Sequence, residues 1–138
     1  MSTVLDAYAL VALSLDEPAA GEVARLLREG DAAVTSVNYG EALDQLVRGR
    51  RIPEPRVLAV FEPLLDGPLS RVDVGFGLVG TAVRLRVAHY HRERCPLSLS
   101  DCICLAAAGS SGTVATADRA MLAVAESVGI ATIPLSRE

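Results

Sequence analysis

Short apolar runs alternate with amphipathic stretches along this chain, and that alternation restricts the fold more than any other feature. The runs "TVLD" at 3–6, "AAVTS" at 32–36, "LSRVDV" at 69–74, "TVATA" at 113–117 and "IATIPL" at 130–135 read as strands. Helical patterns lie between them. One covers 7–14, and a second starts near Pro18 and is closed by Gly30. A third is capped by Ser36, runs from Val37 to Arg48 and ends at Gly49. Pro53 and Pro55 restart the chain into a fourth helix, interrupted near Pro63 and stopped at Gly67. The period predicts a fifth over 76–94, a sixth behind a Ser98 or Ser100 cap, and a seventh over "DRAMLAVAESVG". Ser110, Ser111 and Gly112 read as a turn. This order predicts an α/β sandwich of three layers, a parallel sheet of about five strands with helices on both faces. Pro134 suits an edge strand.

Composition narrows the function classes. The 138 residues suffice for one domain, 1–138, with a sizeable core, and 51% apolar content argues against disorder. No apolar run reaches the ~18 residues that a membrane span needs. "MSTVLDAY" has no basic leader, so no signal peptide is expected. Cys95, Cys102 and Cys104 are odd in number and lack metal-ligand spacing; they read as thiols of a reducing, cytoplasmic setting. The net charge of −4 argues against a generic nucleic-acid coat but allows a local basic groove. All 13 basic residues are arginine. A chain without lysine can be neither a P-loop protein nor a phosphoacceptor receiver domain.

Four acids stand out against this background. Asp6 ends the first strand among Val4, Leu5, Ala7, Leu10 and Val11, where an unpaired carboxylate is costly. Asp118 follows the fourth strand. In an open parallel sheet, functional groups collect beyond the carboxyl ends of strands near the point where strand order reverses. If the first and fourth strands are neighbours, Asp6 and Asp118 converge. Glu41 sits between Val37, Ala42 and Leu46, and Asp101 opens a helix that is apolar nearly all round. Each acid has an ordinary explanation when taken alone. A helix N-cap accounts for Asp118, a helix-start acid for Asp101 and a solvated face for Glu41. Together they fit one pocket. Two unit charges ~5 Å apart cost roughly 3 kcal/mol at an effective dielectric near 20, so protons or a cation must relieve the cluster. Oxygen ligands select a hard divalent ion, Mg²⁺ or Mn²⁺, which activates water at a phosphoryl centre.

"VLDAYALVALSLDEP", "SVNYGEAL", "PLSLSDCICLAAA" and "VATADRAML" occur in the order and approximate spacing of PIN-domain ribonucleases. The chain resembles most the VapC toxins of toxin–antitoxin pairs, over nearly its whole length. That resemblance implies a PIN-like parallel sheet and Mg²⁺- or Mn²⁺-dependent RNA cleavage leaving a 5′ phosphate. It implies a quartet of Asp6, Glu41, Asp101 and Asp118, with Thr116 as the hydroxyl beside the last acid. It also implies a cognate antitoxin lying in the active-site groove, and a homodimer. Tyr8 departs from the family, many of whose members carry a small hydroxyl residue at that position.

Other candidates are weaker. His89 and His91, two apart on the expected fifth helix, point about 200° apart and cannot share a site. Arg84, Arg86, Arg92 and Arg94 fall on the same expected helix, and Arg48, Arg50 and Arg51 follow the Glu41 helix. Arg86 is the first candidate for phosphate contact, because its helix should flank the groove. The residues alone are also compatible with a non-catalytic binding module on this fold, or with a DNA nuclease or phosphatase using the same metal chemistry.

Overall fold

The computed structural model describes residues 2–109 and 111–137; Ser110, part of the expected turn, lies outside them. Five strands form one all-parallel sheet: β1 (Thr3–Leu5), β2 (Ala32–Thr35), β3 (Ser70–Val72), β4 (Thr113–Thr116) and β5 (Ala131–Pro134). Their spatial order is β3-β2-β1-β4-β5, so the chain winds one way from β1 and then returns to its other side. β1 and β4 are neighbours, in the register Thr3 to Thr113, Val4 to Val114 and Leu5 to Ala115. One step further along, that register sets Asp6 beside Thr116.

Among the described residues seven α-helices cover the sheet: α1 (Ala7–Leu15), α2 (Ala20–Glu29), α3 (Ser36–Asp44), α4 (Glu54–Leu65), α5 (Phe76–His89), α6 (Leu99–Ala108) and α7 (Arg119–Val128). Strand alternation sorts the core into two layers. Leu5, Val34 and Ala115 pack with Leu10, Val23, Leu46 and Phe61 on one face. Val4 and Val114 pack with Leu105, Met121 and Val124 on the other. Pro134 lies on the edge strand β5, as its missing N–H requires.

The structure corrects several boundaries. Asp6 belongs not to β1 but to the start of α1, where its side chain accepts the Ala9 N–H. Thr35, not Ser36, caps α3; the Ser36 hydroxyl accepts the Val74 N–H instead. α3 stops at Asp44 and continues as a π-helical turn over Gln45–Gly49. α4 runs through Pro63 to Leu65. α5 ends at His89 rather than 94, because Tyr90 turns extended and the His91 Nδ1 accepts the backbone N–H groups of Glu93 and Arg94. That local capture of two donors competes with the helix. His91, Arg92 and Arg94 are therefore off the helix that carries His89.

Gly112 sits at a close approach between α6 and the chain entering β1. A Cβ there would lie 2.5 Å from the Ala108 carbonyl oxygen and 3.1 Å from that of Ser2. Gly112→Ala is expected to destabilise by about 1–3 kcal/mol, as overpacking does. Gly21, inside α2, has nothing within 4 Å of a built Cβ. Gly21→Ala is expected to stabilise by about 0.5–1 kcal/mol through helix propensity. Urea midpoints that move in the same direction for both would contradict this packing.

Candidate active site

Asp6, Glu41, Asp101 and Asp118 line a single pocket of 110 Å³ together with Ala7, Tyr8, Gln45 and Arg137. It lies at the carboxyl end of β1 and β4, where the strand order reverses. Four different helices deliver the acids.

Asp6 caps α1 and is only 6% exposed. One carboxylate oxygen accepts the Ala9 N–H at 3.0 Å and the other accepts the Thr116 hydroxyl. Burial pushes its carboxyl up to about 6; the Thr116 and Ala9 hydrogen bonds pull against this, and the charges of Asp101 and Asp118 add to it. Asp118 caps α7, with Oδ1 accepting the Met121 N–H at 2.9 Å. Asp101 sits at the third position of α6 in a reciprocal capping box: Ser98 N–H donates to its Oδ2, and its own N–H donates to the Ser98 hydroxyl, both at 3.0 Å. Burial raises its carboxyl too, with the Asp118 charge adding.

Glu41 differs from the other three. It lies in the middle of α3 and caps nothing, yet it is turned inward and half-buried. Burial raises its carboxyl against a hydrogen bond from the Ser100 hydroxyl at 3.1 Å. A solvated helix face, the ordinary account of a mid-helix Glu, does not apply.

Thr116 stands beside the last acid, as expected, whereas Arg86, the first candidate for phosphate contact, does not line the acidic pocket. Thr116 is fully buried, and its hydroxyl donates to Asp6 while accepting the Asp118 N–H at 3.0 Å. It braces two of the acids and offers no hydroxyl to solvent. Arg86 is not part of the acidic pocket. Its Nε donates to the Leu97 carbonyl at 2.9 Å, and its guanidinium lies 4.4 Å over the Tyr90 ring, holding the 90–97 loop against α5. It lines a separate groove with Val83, Val87, Tyr90 and Leu99. Of the fallback arginines, Arg48 forks onto Asp44 and Arg50 pairs with Glu17.

Sequence reasoning missed Asn38 and Arg137. Asn38 is buried, and its side-chain amide donates to the Ser100 carbonyl at 3.1 Å while its oxygen accepts the Thr35 hydroxyl at 2.6 Å. It ties the start of α3 to the start of α6, and so Glu41 to Asp101. Arg137 lies on the segment after β5, stacked on Tyr8.

The donor set is all oxygen and suits Mg²⁺ or Mn²⁺ rather than zinc. The pocket has room for such an ion with water, each water needing at least roughly 10–15 Å³. Among the described residues no three acids are already drawn into one coordination sphere. Asp6, Asp101 and Asp118 are each held by backbone donors at their own helix starts, and Glu41 is held by the Ser100 hydroxyl.

A sequence model of the PIN domain matches residues 3–127. The chain belongs to the PIN domain family. PIN domains are generally metal-dependent nucleases, and the four-carboxylate pocket fits that chemistry. No curated protein matches the chain. Among solved structures it is similar to PAE2754 from Pyrobaculum aerophilum, with a TM-score of 0.65 and 19% identity over 96% of this chain and 90% of that one. At that identity the likeness shows the PIN fold alone. No helix among the described residues is long and apolar enough to cross a membrane.

Proposed function

We propose that this PIN domain is a Mg²⁺- or Mn²⁺-dependent endoribonuclease and the toxin of a toxin–antitoxin pair. The observation that carries the nuclease reading is Glu41. Capping alone accounts for Asp6, Asp101 and Asp118, and a non-catalytic module would keep them for that reason. Glu41 caps no helix start, yet it is half-buried and faces the same pocket as the other three.

Asp6, Glu41, Asp101 and Asp118 would hold the ion. A divalent ion bound there supplies an activated water and neutralises charge building on the phosphoryl group. The chain's own residues set the geometry. Thr116 and the Ala9 N–H fix the Asp6 carboxylate, and the Ser98 box fixes Asp101. Ser100 orients Glu41, one carboxylate oxygen of which would remain to take the proton released as water attacks phosphorus. The P–O3′ bond breaks, the O3′ oxygen takes a proton from solvent and leaves as the upstream fragment's 3′ hydroxyl, and the downstream fragment keeps a 5′ phosphate.

The toxin reading rests on the motif resemblance. The exposed Phe76, Val83 and Val87 on α5 supply apolar surface of the kind that an antitoxin helix or a second copy would cover.

Single-stranded RNA and DNA of one sequence, each incubated with Mn²⁺ or EDTA, test the activity. RNA cut only with Mn²⁺, with 5′-phosphate ends, is expected. Cleavage that survives EDTA, or cyclic-phosphate ends, would contradict the mechanism. Equal cutting of DNA would make the protein a general nuclease.

A further inference from the structure

We propose that Arg137 holds a backbone phosphate of the nucleic acid at this site, and that Tyr8 is the platform that positions it. This rests on the nuclease reading. A pocket of four carboxylates repels a polyanion, so phosphate must meet positive charge from the protein as well as from an ion. Several arginines, three of them considered above for this, are committed elsewhere. Arg48 is paired with Asp44, Arg50 with Glu17 and Arg71 with Asp66. Arg86 is spent on Leu97 and Tyr90. Among the described residues, Arg137 is the one basic side chain that lines the acidic pocket.

Arg137 is also not consumed there. It makes none of the ion pairs found among the described residues, although four carboxylates line the same pocket. Its guanidinium instead lies 5.4 Å from the centroid of the Tyr8 ring. Stacking on an aromatic face fixes the guanidinium plane and leaves its N–H edges for a planar or tetrahedral anion.

The segment that carries Arg137 is strapped down. The Leu135 N–H donates to the Thr116 carbonyl at 2.9 Å. The Ser136 N–H donates to the Glu22 carboxylate at 3.1 Å, and the Ser136 carbonyl accepts the Tyr8 hydroxyl at 2.8 Å. Three elements, β4, α2 and α1, therefore hold the backbone just before Arg137. Tyr8 lies in the first turn of the helix that Asp6 caps, so the ring beneath the cation and the most buried of the four carboxylates share one turn. A phosphate on Arg137 would sit at the mouth of the pocket next to Asp6. The departure of Tyr8 from a small hydroxyl residue thereby gains a purpose, since only a long phenol reaches Ser136 and offers a ring.

The test uses the full chain, a short single-stranded RNA, a salt series of binding in EDTA, and steady-state cleavage in Mn²⁺. Arg137→Ala should weaken binding about tenfold, as loss of a charge-assisted contact does. Its log–log salt slope should become shallower by about 0.7, the share of one phosphate on a single strand. KM should rise with kcat nearly unchanged, and Mn²⁺ affinity should stay at the wild-type value. Arg137→Lys should restore the salt slope but not the full affinity, because ammonium neither forks nor stacks. Tyr8→Ala should match Arg137→Ala, and the double variant should be no worse than either, as expected for one functional unit. A wild-type salt slope and KM in Arg137→Ala would overturn the proposal. So would much tighter Mn²⁺ binding with an unchanged slope, which would make Arg137 a counter-ion of the carboxylates. Wild-type protein that neither binds nor cuts RNA would overturn this inference and the nuclease reading together. Wild-type cleavage left untouched by Arg137→Ala overturns this inference alone.

Discussion

Asp6→Asn is expected to lose Mn²⁺-dependent cleavage by about 100-fold or more, on the order of 3 kcal/mol of transition-state stabilisation, while making the metal-free protein more stable. The two effects come from one carboxylate. Asparagine keeps an oxygen for the Ala9 N–H, so the cap of α1 survives. Its amide N–H₂ can donate to the Thr116 hydroxyl, whose proton then turns toward the Met121 sulfur 3.6 Å away. What disappears is a negative charge at a buried position facing Asp101 and Asp118. Asp101→Asn should behave alike, because its amide oxygen still accepts from Ser98. Urea melts in EDTA, run beside cleavage assays in Mn²⁺, check both halves. An inactive variant that is also less stable would mean that Asp6 serves the fold alone.

The metal-free protein is expected to lose stability as the pH rises from 4 to 7, and Mn²⁺ is expected to reverse the loss. The Asp6 carboxyl stands at about 6 when folded against 3.8 as the reference value. Between those values the folded chain holds a proton that the unfolded chain has released. Stability must then fall with rising pH across that window and level off above it. The gap between these two values bounds the effect at about 3 kcal/mol. Glu41 and Asp101 are shifted the same way and act in the same direction. A divalent ion binds the ionised site of the folded chain only, so millimolar Mn²⁺ should raise Tm most at neutral pH. In Asp6→Asn the pH dependence should flatten. Melting curves in EDTA that are level from pH 4 to 7 would contradict the burial of this charge.

The layout of the site was legible where short strands end in acids. Asp6 and Asp118 each come at the end of an apolar strand, and the parallel pairing of β1 with β4, a condition the sequence left open, brings them together. Glu41 and Asp101 were legible by motif but not by physics. Their convergence depends on Asn38 and Ser100, which bond across 62 and 59 positions of sequence. No local pattern encodes such contacts. The same holds for the strap that joins Tyr8 to Ser136 across 128 positions. The end of α5 was misread because "VAHYHRERC" keeps a helical look, while His91 takes the backbone donors that a helix would use. Arg86 lies outside the acidic pocket because its guanidinium closes the 90–97 loop, a contact across 11 positions that the pattern does not show.

Calorimetric titration of Mn²⁺ into the wild-type chain and into Glu41→Gln is the most direct measurement. Glu41 is the one acid of the four with no capping role, so its loss leaves every helix start intact. A saturable site in the wild type, weakened about tenfold or more in Glu41→Gln as loss of a charged ligand demands, is the expected result. No saturable Mn²⁺ site in the wild type, or equal affinity in Glu41→Gln, would contradict the account.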